Sequence, residues 1–394
     1  MKTIQFLYLL GRYLIGIIAC FMAGIYIHIP FCKRKCHYCN FFSLATHKYR
    51  EEFIRALLKE IGQRKNDLAD KKIESIYFGG GTPSLFAVDD LKRIIEKLQR
   101  VFTISESAEI TLEANPDDLN SKYLAYLRHT AINRLSIGIQ SFHDVELKYV
   151  NRLHSGQDAI DSVKAAQDAG FLNLSVDLIY GIPISTLSSW NKNLDIVKQL
   201  NAHHLSAYSL TKEPGTAYDI LVDKGKLLAP NDEQSVLQYK MLQSFLPQIN
   251  MEQYEISNYA ANKKYALHNT NYWRGISYLG LGPSAHSFNG ESRKWNISHL
   301  QKYIQSVENG QVDFEEELLS VENKWNEKIM TGIRTKWGVS LNELEKKFPE
   351  EWLDKFQTKA DEFISRSWMV KRENYILTDE GKLFADAVAA DFFV

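Results

Sequence analysis

Residues 25–39 read IYIHIPFCKRKCHYC, an apolar, β-branched stretch that runs directly into three cysteines, Cys32, Cys36 and Cys39. Ile25–Ile29 predicts a buried strand, so the cysteines fall in the loop that follows it. Three thiolates in one short loop can ligate three irons of a cubane cluster and leave the fourth iron open for a small molecule. The spacing therefore predicts a 4Fe–4S cluster on these three cysteines.

Zinc is the alternative occupant of this loop, in a site completed by His37 or by a distant histidine. His37 directly follows Cys36, so the two side chains do not easily turn toward one tetrahedral ion. A third interpretation is that the thiols are structural and bind nothing.

The number and distribution of cysteines indicate the cellular compartment in which the protein works. The chain has four cysteines, and Cys20 is the fourth; none follows Cys39. A disulfide framework spreads cysteines through a small secreted chain, which is a different pattern. Clustered thiols favour a metal centre in a reducing compartment, so we expect a cytoplasmic protein.

Composition sets broad limits on fold and partners. The 394 residues are 45% hydrophobic and 24% charged, as in a globular protein of two or three domains. The net charge is −1 and there is no long basic run, so no nucleic-acid partner is expected.

Strand and helix patterns alternate from residue 24 to about residue 210. The predicted strands are Ile25–Ile29, Ser75–Phe78, Glu109–Leu112, Arg134–Ile139, Leu174–Leu178 and His204–Leu210. The predicted helices are Lys48–Arg64, Val88–Val101, Ser121–His129, Gln157–Ala169 and Leu187–Leu200. Such alternation predicts an α/β fold with a parallel sheet, arranged as a partial (β/α)6 barrel.

Polar and glycine-rich segments follow the ends of the predicted strands. After the cysteine loop these are Gly79–Ser84, Glu113–Pro116, Gln140 and Thr211, and Asp177 lies at the end of the fifth predicted strand. Active sites of β/α barrels are built at the carboxyl ends of the strands, so these segments are expected to meet in one site.

Four segments describe the expected domain organisation. Residues 22–216 form the barrel, and 217–317 form a β-rich, aromatic extension. Residues 318–394 show three helices and a hairpin, the order of a winged-helix-like domain. Residues 1–21 stand apart from all three.

Residues 4–25 are largely apolar and allow three interpretations. Residues 1–21 are then an over-long start with Met22 as the true first residue, a membrane anchor, or an export signal. Ile17–Cys20 resembles a lipoprotein cleavage box, whereas Arg12 is costly inside a bilayer. A membrane anchor would place the protein near a membrane.

The cysteine loop, with Tyr38 before its last cysteine, resembles the signature of the radical S-adenosylmethionine (SAM) superfamily. The resemblance implies that SAM chelates the open iron and is cleaved to a 5′-deoxyadenosyl radical. It also implies SAM contacts, which in this sequence are Tyr26, Gly80, Gly81, Thr82, Pro83, Glu113, Gln140, Arg152, Asp177 and Thr211.

Structural roles remain open for several of these residues. Glu113 is placed to cap the helix that follows Pro116, and Arg152 is able to form a surface ion pair of little energetic worth. Asp177 lies among apolar residues and needs a partner if it is buried.

A narrower resemblance rests on the segments YIHIPFC, YFGGGTPS, LEANP, SIGIQSF, DLIYGIP, EPGT and HNTNYW. Together they resemble the HemW family of radical SAM haem chaperones. This implies that the protein binds haem and passes it to an acceptor, such as a respiratory-chain protein.

The related oxygen-independent coproporphyrinogen III dehydrogenase is the alternative function, an enzyme of porphyrin biosynthesis. That family has a fourth cysteine two residues beyond the third, where this chain has Phe41. It also has a substantial N-terminal extension, which the short apolar segment before Cys32 does not match. Asn40 departs from the aspartate that is frequent in the chaperone family.

The segment 268–273, HNTNYW, matches the HNxxYW motif that the chaperone family is proposed to use for haem. The resemblance implies haem contacts at His268, Asn269, Tyr272 and Trp273. Histidine is a common axial ligand of haem iron, and aromatic rings stack on the macrocycle. The alternative is that His268 is a hydrogen-bonded structural residue within an aromatic core. His286 is a second candidate ligand.

Overall fold

The computed structural model describes residues 22–68 and 71–394. Six parallel strands, adjacent in chain order, form the centre of the fold. They are β1 (Met22–Ile29), β2 (Lys72–Gly80), β3 (Ile104–Ala114), β4 (Arg134–Gln140), β5 (Leu174–Tyr180) and β6 (His204–Ser209). All six predicted strands are present, so the α/β class with a parallel sheet is confirmed.

Helices connect these strands, because parallel neighbours need a crossover connection. They are α1 (Arg50–Gln63), α2 (Val88–Val101), α3 (Ser121–Leu127), α4 (Asp144–Tyr149), α5 (Gly156–Asp168) and α6 (Leu187–Leu200), with 3-10 turns at Pro83–Leu85 and Pro116–Asp118. In α2 the residues Leu91, Ile94, Ile95 and Leu98 are buried, and their helical spacing lays one apolar face on the sheet. Only α4 has no counterpart among the predicted helices.

The segment after β6 extends the same sheet at both edges. Its strands are β7 (Met251–Glu255), β8 (Asn258–Ala261), β9 (Tyr278–Leu281), β10 (His286–Phe288), β11 (Ser292–Asn296) and β12 (Phe314–Leu318). The resulting sheet has the order β12-β11-β10-β9-β1-β2-β3-β4-β5-β6-β8-β7. Strand β9 runs parallel to β1, whereas β8 runs antiparallel to β6.

Four helices accompany these added strands: α7 (Ala217–Asp223), α8 (Asp232–Phe245), α9 (Leu267–Trp273) and α10 (Leu300–Glu308), with a 3-10 turn at Leu246–Ile249. Helix α10 packs on α1 through Leu300, Tyr303, Ile304 and Val307, which belong to the main hydrophobic core. The extension therefore shares the core of the parallel sheet.

The C-terminal region has a core of its own, which includes Trp325, Phe356, Phe363 and Phe392. Its elements are α11 (Val321–Ile333), α12 (Leu341–Leu344), α13 (Glu350–Ser365), β13 (Met369–Lys371), β14 (Tyr375–Leu377), the 3-10 turn Gly381–Phe384 and α14 (Ala385–Ala390). Strands β13 and β14 pair as an antiparallel hairpin. Three helices followed by a hairpin is the predicted order.

The apolar N-terminal segment lies mostly outside the described residues. Met22–Ile25, its last four residues, belong to β1, where Ala23 and Ile25 are fully buried in the core. Within residues 22–68 and 71–394, no helix is long and apolar enough to cross a membrane.

Candidate cluster and cofactor site

The cysteine loop is attached to the fold at both ends by backbone hydrogen bonds. The amide of Cys32 donates to the carbonyl of Leu44 (3.0 Å), and the amide of Leu44 donates to Pro30 (2.7 Å). Further along, the amide of Tyr218 donates to His37 (2.7 Å). The loop is therefore fixed in place although it has no regular secondary structure.

All three thiols of the loop face one cavity of about 400 Å³ at the carboxyl end of the sheet. Burial raises the pKa of the thiols of Cys32 and Cys39, so a positive centre is needed to hold them as thiolates. No group of three or more His, Cys, Asp or Glu side chains in the described ranges is arranged to hold a single metal ion. A cubane cluster has a different requirement, because each thiolate binds a different iron.

A chain of hydrogen bonds connects two of the thiols. The guanidinium of Arg152 donates to Cys36 Sγ (3.5 Å) and to Asn115 Oδ1 (2.8 Å). Asn115 Nδ2 donates to Thr82 Oγ1 (3.2 Å), which in turn donates to Cys32 Sγ (3.4 Å). Hydrogen-bond donors directed at sulfur stabilise thiolates and orient them toward a metal. Arg152, Asn115 and Thr82 are therefore suited to support an iron–sulfur cluster.

The glycine segment after β2 lies against the cysteine loop. The amide of Gly81 donates to Ile29 (2.7 Å), and the amide of Thr82 donates to Phe31 (2.7 Å). Gly80 has a φ of +104°, which favours glycine. A Cβ atom on Gly81 would lie 2.6 Å from the Phe31 carbonyl oxygen, so no larger residue fits. The absence of side chains therefore lets the glycine segment pack against the backbone of the cysteine loop.

Two carboxylates reach the cavity from β3 and β5. Glu113 accepts hydrogen bonds from the Tyr77 hydroxyl (2.7 Å) and from the Gly80 amide (3.2 Å), and burial raises its pKa to about 7. Asp177 accepts from Ser136 Oγ and Ser175 Oγ, both at 2.8 Å. Glu113 therefore has tertiary partners instead of a helix-capping role, and the partly buried Asp177 has hydrogen-bond partners on both oxygens.

The other predicted SAM contacts divide into two groups. Those that line the cavity with the cysteines, Glu113 and Asp177 are Gly80, Gly81, Thr82, Pro83, Gln140, Arg152 and Thr211. Tyr26 does not line the cavity. Its ring stacks on the ring of Tyr77, which does line it, with centroids 6.2 Å apart. Arg152 is no surface residue, since it donates to Asn115, to Cys36 and to the Gly138 carbonyl.

The structure adds cavity residues that the sequence analysis missed, above all on β4. Its alternate residues Arg134, Ser136, Gly138 and Gln140 all line the cavity, while Leu135, Ile137 and Ile139 are fully buried against the helices. The side-chain period of two in a strand produces this division. The same alternation of polar and apolar residues was present in the sequence and is the signal that would have found Arg134 and Ser136.

The HNxxYW motif forms most of α9 and separates two cavities. The ring of His268 is buried. Its Nδ1 forms a hydrogen bond with Ser75 Oγ, and its Nε2 forms one with the Tyr272 hydroxyl, both at 2.8 Å. Burial lowers its pKa to about 3, so the imidazole is neutral. Asn269 lines the cysteine cavity, whereas Tyr272 and Trp273 line a second cavity of about 570 Å³.

His286 is placed away from the cysteine cavity. It is exposed on β10, with its ring stacked on Trp295 at a centroid distance of 6.0 Å. Neither histidine therefore presents a free nitrogen next to the cysteine loop.

Glu113 gives a testable pH dependence. Its pKa is higher in the folded protein than the ordinary 4.5, so the stability that its protonation contributes is present below about pH 4.5 and is lost as the pH rises to about 7. We expect Glu113→Gln to flatten this decline in the free energy of unfolding, by up to about 3 kcal/mol. Denaturant unfolding of the cluster-free protein across this pH range measures it.

Glu106→Gln is the matched control, because Glu106 is on the same strand but exposed. The Glu106→Gln variant is expected to show the same decline in the free energy of unfolding with rising pH as the wild type. An identical pH dependence in wild type and Glu113→Gln would show that Glu113 does not titrate in this range.

A parallel (β/α)6 sheet with a three-cysteine loop after its first strand is the defining arrangement of radical SAM proteins. The family model described as the radical SAM superfamily matches residues 26–196, and that of the HemN C-terminal domain matches residues 319–384. The coproporphyrinogen III oxidase HemN from Escherichia coli, a radical SAM enzyme, has the same fold, with a TM-score of 0.81. It is 22% identical, and the match covers 95% of this chain and 90% of HemN.

Sequence relatives identify the family within this class. Heme chaperone HemW of Bacillus subtilis is 32% identical over 375 residues, which cover 94% of this chain and 99% of that protein. Heme chaperone HemW of Mycobacterium tuberculosis (strain H37Rv) is 30% identical over 375 residues, with 93% of each chain covered. This chain belongs to the HemW family.

Proposed function

We propose that the protein is a radical SAM haem chaperone, which holds a 4Fe–4S cluster and SAM, binds haem and passes it to an acceptor protein. The observation that carries the proposal is a full-length relationship to HemW proteins in a chain whose three thiols face one cavity. We place the protein in the cytoplasm, because free thiols in such a loop need a reducing compartment.

The cluster is assigned to Cys32, Cys36 and Cys39, and a bound cluster supplies one electron to SAM. The residues around it have separate tasks. Arg152 and Thr82 donate to sulfur and keep the thiolates oriented. Glu113 and Asp177 supply hydrogen-bond acceptors for SAM, and the fixed backbone of the glycine segment lets a ligand approach closely.

SAM binding is then linked to the proton on Glu113. If the ammonium group of SAM is bound by this carboxyl, binding favours its ionised form. A group with a pKa of about 7 can lose its proton near neutral pH at little cost.

Haem contact is assigned to the HNxxYW segment. Both ring nitrogens of His268 already have protein partners, so a bond from His268 to haem iron requires the loss of Ser75 or Tyr272 as a partner. Tyr272 and Trp273 are partly exposed and line a cavity, so their rings are accessible to a macrocycle.

Coproporphyrinogen III oxidation is the second candidate, since HemN has the same fold. Phe41 occupies the position of the fourth cysteine of that enzyme family, and this residue lines the cysteine cavity and is 59% exposed. Without a thiol at this position, the carrier function is favoured.

One anaerobic preparation separates the two functions. After cluster reconstitution, one aliquot is titrated with haem by absorbance, and another is incubated with SAM, reductant and coproporphyrinogen III. We expect one haem per chain and no decarboxylated product. Product without haem binding would establish the enzyme instead.

A further inference from the structure

The second cavity lies between the HNxxYW helix and the C-terminal region, on the far side of α9 from the cysteines. Its walls come from α9, from β9 to β11 and from helices α11 and α12 with the residues that follow α12. The volume of about 570 Å³ is within the usual range for a small-molecule site. Its aromatic lining consists of Tyr272, Trp273, Tyr278, Phe288 and Phe348.

The charged residues around this cavity carry an excess of positive charge. The cations are Arg274, Arg293, Lys324, Lys328 and Lys347, and the carboxylates are Glu291, Glu327 and Glu343. Each carboxylate is paired: Arg293 with Glu327 (2.8 Å), Lys328 with Glu343 (2.7 Å), and Lys324 with Glu291.

Arg274 and Lys347 are the two cations in excess. Within the part of the chain that the structure describes, neither forms an ion pair with a carboxylate. The guanidinium carbon of Arg274 lies 4.6 Å from the centroid of the Trp337 ring. The charge of Lys347 helps to lower the pKa of Glu343, but the two side chains do not form an ion pair. Both side chains are exposed, so their charged groups lie at the rim.

We propose that this second cavity is the haem site, with the macrocycle against the aromatic lining and its two propionates on Arg274 and Lys347. The inference rests on the proposed haem-binding function and gives it a location. A flat apolar ring with two carboxylates matches aromatic walls and two unpaired rim cations. The C-terminal region then supplies half of the site, through Lys347 and Phe348.

This location also keeps haem apart from the cluster. Helix α9 lies between the two cavities, and on it His268 and Tyr272, one turn apart, are joined by a hydrogen bond. His268 then positions Tyr272 for the macrocycle, and Asn269 remains in the wall of the cluster cavity.

The test uses the cluster-loaded full chain, titrated anaerobically with haem and with haem dimethyl ester, in which both carboxylates are blocked. We expect Arg274→Gln and Lys347→Gln each to weaken haem binding about tenfold, since each loses one charge-assisted contact. The ester is expected to bind equally weakly to the wild type and to both variants. Lys346→Gln is the matched control, because Lys346 is exposed but outside the cavity, and it should bind haem normally.

Each outcome decides the inference. Wild-type protein that binds haem and its ester equally tightly would overturn it without any variant, as would unchanged haem affinity in both cavity variants. In those cases haem still binds, so the proposed function would stand. Wild-type protein that binds no haem would overturn the proposed function and the inference together.

Discussion

Replacement of Cys32, Cys36 and Cys39 by alanine is expected to abolish cluster assembly completely. The three thiols face one cavity, and they are the only cysteines among the residues that the structure describes. Each single replacement removes the ligand of one iron, so it is expected to leave at most an unstable cluster. Iron and sulfide content after anaerobic reconstitution, with the visible thiolate-to-iron absorption, measures the effect.

Cys20→Ala is the matched control for these variants. Cys20 lies outside the predicted motif, so this variant is expected to assemble the cluster as the wild type does. A triple variant that retained both iron and absorption would contradict the assignment, because the cluster would then have other ligands.

Gly81→Ala is expected to produce the second large effect, on both stability and cluster content. The new Cβ would lie 2.6 Å from the Phe31 carbonyl oxygen, 2.8 Å from that of Ile29 and 2.9 Å from the Phe31 amide nitrogen. These are backbone atoms, so the cysteine loop must move away from β2. We expect the free energy of unfolding to fall by about 2–3 kcal/mol and iron binding to become substoichiometric.

Gly62→Ala is the control with the same chemical change. Gly62 is in α1, and a Cβ there meets only the flexible end of Lys97, at 3.6 Å. Alanine favours the helix, so stability should rise by about 0.5 kcal/mol. Equal effects of the two substitutions in denaturant unfolding would mean that the contact between loop and glycine segment does not constrain the fold.

The parallel sheet could be predicted from the sequence because its signals are local. Helix α2 was predicted with the observed bounds, because its apolar residues repeat with helical spacing. The position of β9 beside β1 could not be predicted in this way. Tyr278–Leu281 is only four residues long, and its partner lies some 250 residues earlier in the chain. Such pairing depends on tertiary packing, which local periodicity does not report.

In the candidate site, too, the features that follow from chain order could be predicted, whereas contacts between residues distant in sequence could not. The cysteine loop follows a strand and the carboxylates lie near the carboxyl ends of two others, so chain order alone predicts that they meet. The contacts of His268 with β2 could not be predicted, since Ser75 and the stacked Tyr77 are far away in sequence. The second cavity is formed between elements from two separate regions, so no single segment of sequence reveals it.

The claim that the protein carries haem is tested most directly by following haem out of it. Cluster-containing protein loaded with one equivalent of haem is mixed with haem-depleted respiratory membranes, and haem-loaded albumin at the same concentration serves as the control. We expect haem to enter membrane proteins faster from this protein than from albumin. Transfer no faster than from albumin, or haem that stays on the protein, would contradict it.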